Sequence, residues 1–506
     1  MSFNLAIMLL ESAKATPNKP VLHFLGEPTT YAELDAASAR FAGGLQAAGL
    51  VPGDVVAVQL PNVPEFLVSY FGALRAGITM LPLNPLLKAA EIRYHCSDAG
   101  AKLLIGFDMF AADGLAATGD LGIPLYLVPF PGSMDPAPEP AHRFAELLDA
   151  EPFDDLVPTS SDDIAVLLYT SGTTGKPKGA ELTHFQLYMN CTVAGGLFDA
   201  RADDVTLGVL PFFHVFGLSS AVNVTVRFGG TLSVVPRFEP VAVLDAMAAD
   251  GVTVALGVPT MLQALMAEGA GDRDLSAFRV AVSGGASLPG EVLHQFEKTF
   301  GVTVLEGYGL SETASTATFN VSAEQRKIMS IGKPIWGVEM RVVDAEDRPL
   351  PAGEENVGEL VIRGHNVMRG YHNRPEATAE AFRNGWFHTG DLGYVDGEGY
   401  YFIVDRIKDL VIRGGYNVYP REIEEVLYSY PGVAEVAVIG KPDDRLGEEV
   451  VAIVAPAPGV TLDPADVIAY AKQHLAAYKY PREVRIVDAL PKGATGKILK
   501  KELRAG

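Results

Sequence analysis

The 506-residue chain contains two cysteines, Cys96 and Cys191, and two tryptophans. Two thiols can build neither a disulfide framework nor a Cys-rich zinc site. No apolar run approaches the ~20 residues that a membrane-crossing helix needs. Met1–Lys14 lacks a basic start, and Glu11 follows the apolar Leu5–Leu10, so this stretch reads as an amphipathic first helix and not a signal peptide. The ending Leu503-Arg504-Ala505-Gly506 is no peroxisomal or prenylation address. Together these absences lead to the expectation of a soluble, cytoplasmic protein. Positive charge is also scarce: 40 Lys and Arg face 62 Asp and Glu, a net charge of −22. Such a surface repels phosphate backbones, which excludes a nucleic-acid binder held by bulk electrostatics. An anionic ligand would need a local basic pocket.

What is present is a globular chain, 48% hydrophobic and 20% charged. Its length suggests roughly three domain-sized units, or one large domain and a small one. Thr30-x-x-Glu33 is a capping box, Leu34, Phe41 and Leu45 share a helix face, and Gly49 ends that helix. Apolar strand patterns at Val55–Leu60, Ile78–Leu83, Ile164–Tyr169, Val205–Leu210, Val252–Leu256 and Phe278–Val282 alternate with helical ones such as Pro64–Ala76. That alternation predicts an α/β domain whose sheets are covered on both faces. From about Ile331, short strands at Glu339–Val343, Gly358–Arg363 and Tyr400–Val404 predict a small antiparallel barrel or sheet. Beyond Asp405, helices at Pro420–Tyr430 and Pro464–Leu475 and strands at Val433–Ile439, Val450–Pro456 and Glu483–Val487 predict a compact α+β unit.

The strongest local signal runs from Tyr169 to Gly179, YTSGTTGKPKG, between the strand Ile164–Leu168 and a helix expected to start near Thr183. Its glycines free backbone N–H groups for an anion, its hydroxyls add donors, and Lys176 and Lys178 add charge. A Walker A loop is excluded, because Gly172 and Gly175 are too close and Pro177 follows Lys176.

This segment resembles the phosphate loop of the adenylate-forming superfamily, which includes AMP-forming acyl-CoA synthetases, non-ribosomal peptide adenylation domains and firefly-type luciferases. Further motifs follow in that family's order: Pro211–Gly217 with His214, Ser283-Gly-Gly-Ala286, Glu306–Thr313, Trp386–Asp391, Asp405–Lys408, Arg413–Ile423 and Pro491–Lys497. The resemblance implies an N-terminal adenylation domain over residues 1–405, with the barrel-like part at about 331–405, and a mobile C-terminal domain over 406–506. It implies ATP, Mg²⁺ and coenzyme A. ATP would meet Thr170, Ser171, Gly172, Thr173, Thr174, Gly175, Lys176, Gly284, Gly285, Ala286, Glu306, Gly307 and Gly309. Tyr308 would stack on adenine, Thr313 would meet the α-phosphate, and Asp391 and Arg406 the ribose or phosphates. Glu312 and Thr170 would hold Mg²⁺, which suits a hard cation that prefers one or two carboxylates plus phosphates.

By the same resemblance, Lys497 bridges the substrate carboxylate and the α-phosphate, and His214 shapes the carboxylate pocket. Lys408 is the hinge, and Gly414, Gly415 and Tyr416 line the pantetheine tunnel. The acyl wall is expected from His214, Phe216, Val258, Pro259, Gly284, Gly307, Gly309 and Ala314, the small residues leaving room for a chain. None of these would pair a second carboxylate, which argues against dicarboxylates. No residue stands out as a base for the CoA thiol.

The expected activity is conversion of a carboxylic acid, by first reading a medium- or long-chain fatty acid, to acyl-adenylate and then to acyl-CoA. An aryl or hydroxycinnamate ligase, an enzyme that loads a carrier protein, and a luciferase-like monooxygenase stay open, as does a homodimer.

Overall fold

The computed structural model describes residues 3–170, 176–443 and 445–505. Two sheets form the large domain. The first orders its seven strands as His142–Arg143, Leu125–Val128, Ala101–Phe107, Val55–Val58, Thr79–Pro82, Ile164–Thr170 and Lys178–Thr183. All neighbours are parallel except the last pair. The second has nine strands, with a parallel centre running Thr303–Tyr308, Val280–Ser283, Val254–Gly257, Val205–Gly208, Thr231–Val234 and Pro20–Phe24. These central strands are apolar and buried, as helix-covered parallel sheets require.

Local chemistry explains the helix starts. Thr30 caps Tyr31–Ala47 and forms the expected box with Glu33, while Leu34, Phe41 and Leu45 are buried against the core. Thr183 caps His184–Leu197 in the same way, through Gln186. That helix starts where the sequence predicts, and before it Lys178–Thr183 adds an unexpected strand antiparallel to Ile164–Thr170. The phosphate-loop motif therefore joins two hydrogen-bonded strands, and no helix N-terminus lies at its end.

A five-stranded antiparallel sheet follows, built from Val338–Val343, Gly358–Gly364, Trp386–Val395 and Phe382–Arg383, with Tyr401–Arg406 on the Trp386–Val395 strand. Its pairing order is open among the described residues. The small domain has its own five-stranded sheet, centred on the hairpin Val433–Asp443 and Gly447–Pro456, with helices Pro420–Tyr428 and Pro464–His474 packed on it. No described helix is long and apolar enough to cross a membrane.

Candidate functional site

A cavity of ≈ 600 Å³ opens where the C-terminal ends of the parallel strands meet the antiparallel sheet and the small domain. Parallel strands deliver ligands there, because the loops after them diverge. Its wall brings together Thr170, His214, Phe216, Val258, Gly284, Gly285, Gly307, Tyr308, Gly309, Glu312, Arg406, Lys408 and Lys497, from six separate sequence motifs.

Among the described residues, five cationic side chains line this wall, Lys178, Arg383, Arg406, Lys408 and Lys497, and the last three influence one another. Burial, then the charge of Arg406, pulls the Lys497 amine down from its usual value to about 8, with Asp391 opposing. Lys408 is lowered for the same two reasons, burial first. Arg406 is held charged chiefly by Asp391, whose Oδ1 lies 3.1 Å from its Nε. Lys497, Arg406 and the more exposed Lys408 repel each other along this wall, and a polyanion would relieve that repulsion. This is the local basic pocket that an acidic chain needs for an anionic ligand.

Lys497 reaches the cavity on a short loop. Gly493 N–H donates to the Lys497 carbonyl (2.8 Å), and the Thr260 hydroxyl of the large domain donates to the Gly496 carbonyl (2.9 Å). His214 is neutral: burial, then Lys497, lowers its imidazole to about 4. Its Nδ1 accepts the Phe216 N–H at 3.3 Å, so the neutral ring carries its proton on Nε2.

The Tyr308 hydroxyl donates to Asp391 Oδ2 at 2.6 Å. Both Asp391 oxygens thus have a protein partner, yet a carboxylate offers about four acceptor positions, which leaves capacity for a diol. Glu312 is 8% exposed and accepts from the Tyr371 hydroxyl at 3.0 Å. Burial raises its carboxyl, while the Tyr371 and Thr170 hydroxyls and the Arg406 charge oppose the rise. No group of three His, Cys, Asp or Glu side chains is close enough to hold a metal among the described residues. One carboxylate with a hydroxyl beside it fits Mg²⁺, which takes few protein ligands and completes its shell with phosphate and water oxygens.

Other expected residues lie elsewhere. Ser171, Gly172, Thr173, Thr174 and Gly175 are outside the described residues. Lys176 is exposed, with its ammonium 5.4 Å from the Tyr94 ring centre. Ala286, Pro259, Ala314, Glu306 and Thr313 are not on the cavity wall, and Asp391 borders it through its bonds to the wall residues Tyr308 and Arg406. Thr313 is fully buried, and its hydroxyl is engaged by the Leu310 backbone, accepting from N–H at 2.8 Å. Glu306 accepts the Leu288 N–H at 3.1 Å. Gly414, Gly415 and Tyr416 sit on a small-domain hairpin outside the cavity, and Tyr416 stacks on Tyr478 with ring centres 4.7 Å apart.

The acyl side is tighter than its glycines suggest. A Cβ at Gly284 would stand 3.1 Å from the Phe216 ring, and one at Gly307 would stand 2.7 Å from the Phe319 ring. At Gly309 it would lie 1.4 Å from the Ser315 carbonyl oxygen. These glycines line the cavity, and the place a side chain would take at each is held by an aromatic ring or backbone. Phe198, Phe319, Leu256 and Val282 also line the cavity, with the Phe198 and Phe319 ring centres 6.5 Å apart.

Sequence reasoning missed Tyr371, whose hydroxyl orients Glu312 and whose ring lies 5.0 Å from the Lys178 ammonium. Nothing in the spacing of 312 and 371 announces that contact. Thr260 was missed as well, because it lies far along the chain from the lysine loop that it holds.

The model for AMP-binding enzymes matches residues 9–372, and that for the AMP-binding enzyme C-terminal domain matches 422–497. A feruloyl-CoA synthase of Amycolatopsis sp is 40% identical, over 97% of this chain and 96% of its own length. A long-chain-fatty-acid–CoA ligase of Bacillus subtilis is 36% identical, over 98% and 93%. ATP-bound MatB from Rhodopseudomonas palustris superposes with a TM-score of 0.91 at 36% identity, covering 100% of this chain and 99% of its own. Apo MatB, at the same identity and coverage, reaches 0.81. The chain thus shares the arrangement of the ATP-bound form more closely.

Proposed function

The chain belongs to the AMP-binding enzyme family and is an AMP-forming acyl-CoA ligase, and from that premise we propose that it activates a compact, ring-bearing monocarboxylic acid of the hydroxycinnamate class. The observation that carries the finer reading is the aromatic lining of the cavity, to which Phe198, Phe216 and Phe319 all contribute. The 40% identity to a feruloyl-CoA synthase agrees with it. The second reading, a medium- or long-chain fatty acid, draws on the Bacillus subtilis relative.

In the first step a carboxylate oxygen attacks the α-phosphorus of ATP, the bond to pyrophosphate breaks, and an acyl-adenylate forms. Both reactants are anions, so Lys497 and Arg406 lower the barrier by offering fixed charge where negative charge accumulates. Neutral His214, with Nε2–H as a donor, shapes the carboxylate end of the pocket. Tyr308 packs against the base and Asp391 takes the ribose hydroxyls. Glu312, with Thr170 beside it, would hold Mg²⁺, which supplies positive charge to phosphate oxygens when bound.

In the second step the CoA sulfur attacks the acyl carbon, the carbon–oxygen bond to AMP breaks, and the thioester forms. Lys497 occupies the cavity while Gly414–Tyr416 lies outside it. Both cannot serve one site at once, so the small domain rotates about Lys408 between the steps.

The substrate reading predicts that kcat/KM for ferulate, coumarate or cinnamate exceeds that for palmitate by about tenfold or more, given what a misfitting pocket costs. Coupled AMP release over a panel of acids measures this. Preference for palmitate would overturn the aryl reading and leave the ligase reading standing.

A further inference from the structure

At the seam between the domains, one cation meets carboxylates from both. Arg421 begins the small-domain helix Pro420–Tyr428. Its Nη1 donates to the Ile403 carbonyl at 2.5 Å and its backbone N–H to Asp405 Oδ2 at 3.1 Å, both on the last strand of the large domain's antiparallel sheet. Its charge also acts on Glu306, a large-domain carboxylate only 4% exposed, and on Glu425 one helical turn along, whose Oε1 lies 3.9 Å from Arg421 Nε.

Glu425 faces the large domain too. The Gly290 N–H favours its charged form, and Gly290 opens the helix Gly290–Phe300, whose own N-cap, Pro289, supplies no side-chain acceptor. A carboxylate from the other domain therefore stands near that helix's positive end. The neighbouring cation Lys500 pairs with Glu424 at 2.7 Å and acts by charge on Asp405. Arg421 is the cation whose side chain bonds directly across the seam, to the Ile403 carbonyl, with Glu425 beside it and Glu306 within reach of its charge.

We propose that Arg421, bonded across the seam to the Ile403 carbonyl and flanked by Glu425 of its own helix, latches the small domain in the arrangement that seats Lys497, and so acts as a positioning residue for adenylation alone. The physical reason is that a buried carboxylate is costly without a partner, so Glu306 and Glu425 favour the domain arrangement that brings the Arg421 charge near them. Burial lifts Glu306 to about 7, and Arg421 is the first group opposing that rise. Two neutral contacts add to the seam: Thr260 with the Gly496 carbonyl, and Gln263 Nε2 with the Ala434 carbonyl at 3.0 Å. Neither carries charge, so the charged part of the bias falls to Arg421 together with Lys500, whose charge acts on Asp405. When the small domain turns for thioester formation, the Ile403 and Gly290 contacts and the pull of Arg421 on Glu306 are lost together.

This inference rests on the two-step ligase reading, and the test separates the two. Adenylation is measured as acid-dependent ATP–pyrophosphate exchange, and thioester formation as conversion of pre-formed acyl-adenylate with CoA. Arg421→Met is expected to slow exchange by about tenfold or more, the worth of hydrogen bonds to a charged group. Thioester formation from supplied adenylate should stay within about twofold. Glu425→Gln, which keeps an acceptor for Gly290 but no charge, should show a smaller change of the same kind. It serves as the readout if Arg421→Met does not fold. An equal fall in both half-reactions, or unchanged exchange, would overturn the latch. Absence of exchange in the unsubstituted protein with every acid would instead overturn the ligase reading.

Discussion

Lys497→Ala is expected to lower adenylation by about 10²–10³-fold, the range seen when one preorganised electrostatic contact to a reacting oxyanion is removed. The substitution leaves the nucleotide pocket otherwise intact: Tyr308 still bonds Asp391, and Asp391 still pairs with Arg406. ATP binding, followed by titration calorimetry, should therefore persist while acid-dependent pyrophosphate release collapses. Thioester formation from supplied acyl-adenylate should be spared, because the lysine acts only in the first step. The same residue sets a pH limb. An amine held at about 8 loses its proton as pH rises through that value, so adenylation by the free enzyme falls above it. His214, neutral above about 4, adds no limb in the neutral range. A Lys497→Ala variant whose pyrophosphate release matches the unsubstituted enzyme would remove the residue from the mechanism.

The second large effect is expected from one methyl group. Gly309→Ala puts a Cβ 1.4 Å from the Ser315 carbonyl oxygen, which no relaxation of a side chain can accommodate, because the clash is with backbone. The turn that would have to open is tightly determined. Ala314 and Ser315 have φ of 53° and 106°, a conformation that L-residues adopt only under constraint. Asn190 and Asn366 both donate to the Thr316 carbonyl, at 2.7 and 2.9 Å. The Met368 N–H donates to the Glu312 carbonyl at 2.7 Å. Glu312 is part of this turn, so opening it moves the proposed Mg²⁺ carboxylate, and a displacement near 1 Å can cost about a hundredfold in rate. We expect kcat/KM to fall by at least about that factor and the melting temperature to drop with it, as overpacking predicts. Unaltered kinetics in Gly309→Ala would show that the turn does not position the site.

Much of this organisation is legible in the chain. The capping box at Thr30 and Glu33, the apolar strands of the parallel sheets and the small α+β unit all follow from local pattern, since each is decided by neighbours a few residues apart. The motifs that carry the family resemblance supply most of the cavity wall for the same reason: each is a contiguous turn at a strand end. What escapes the sequence is whatever distant segments decide jointly. The strand Lys178–Thr183 looks like loop until it pairs with Ile164–Thr170. Gly284, Gly307 and Gly309 look like open space until Phe216, Phe319 and the Ser315 carbonyl arrive to fill it. Tyr371 and Thr260 have no motif of their own, and their roles exist only because Glu312 and the lysine loop fold against them.

The central claim is that the carboxylate itself attacks the α-phosphorus of ATP, and one isotope experiment tests it directly. The acid is labelled with ¹⁸O in both carboxylate oxygens and turned over with ATP, Mg²⁺ and CoA, and the products are weighed by mass spectrometry. Attack at the α-phosphorus followed by cleavage of the acyl carbon–oxygen bond leaves one labelled oxygen in AMP and one in the thioester, with pyrophosphate unlabelled. Label in inorganic phosphate, with ADP as the nucleotide product, would mean an acyl-phosphate route and would contradict the account.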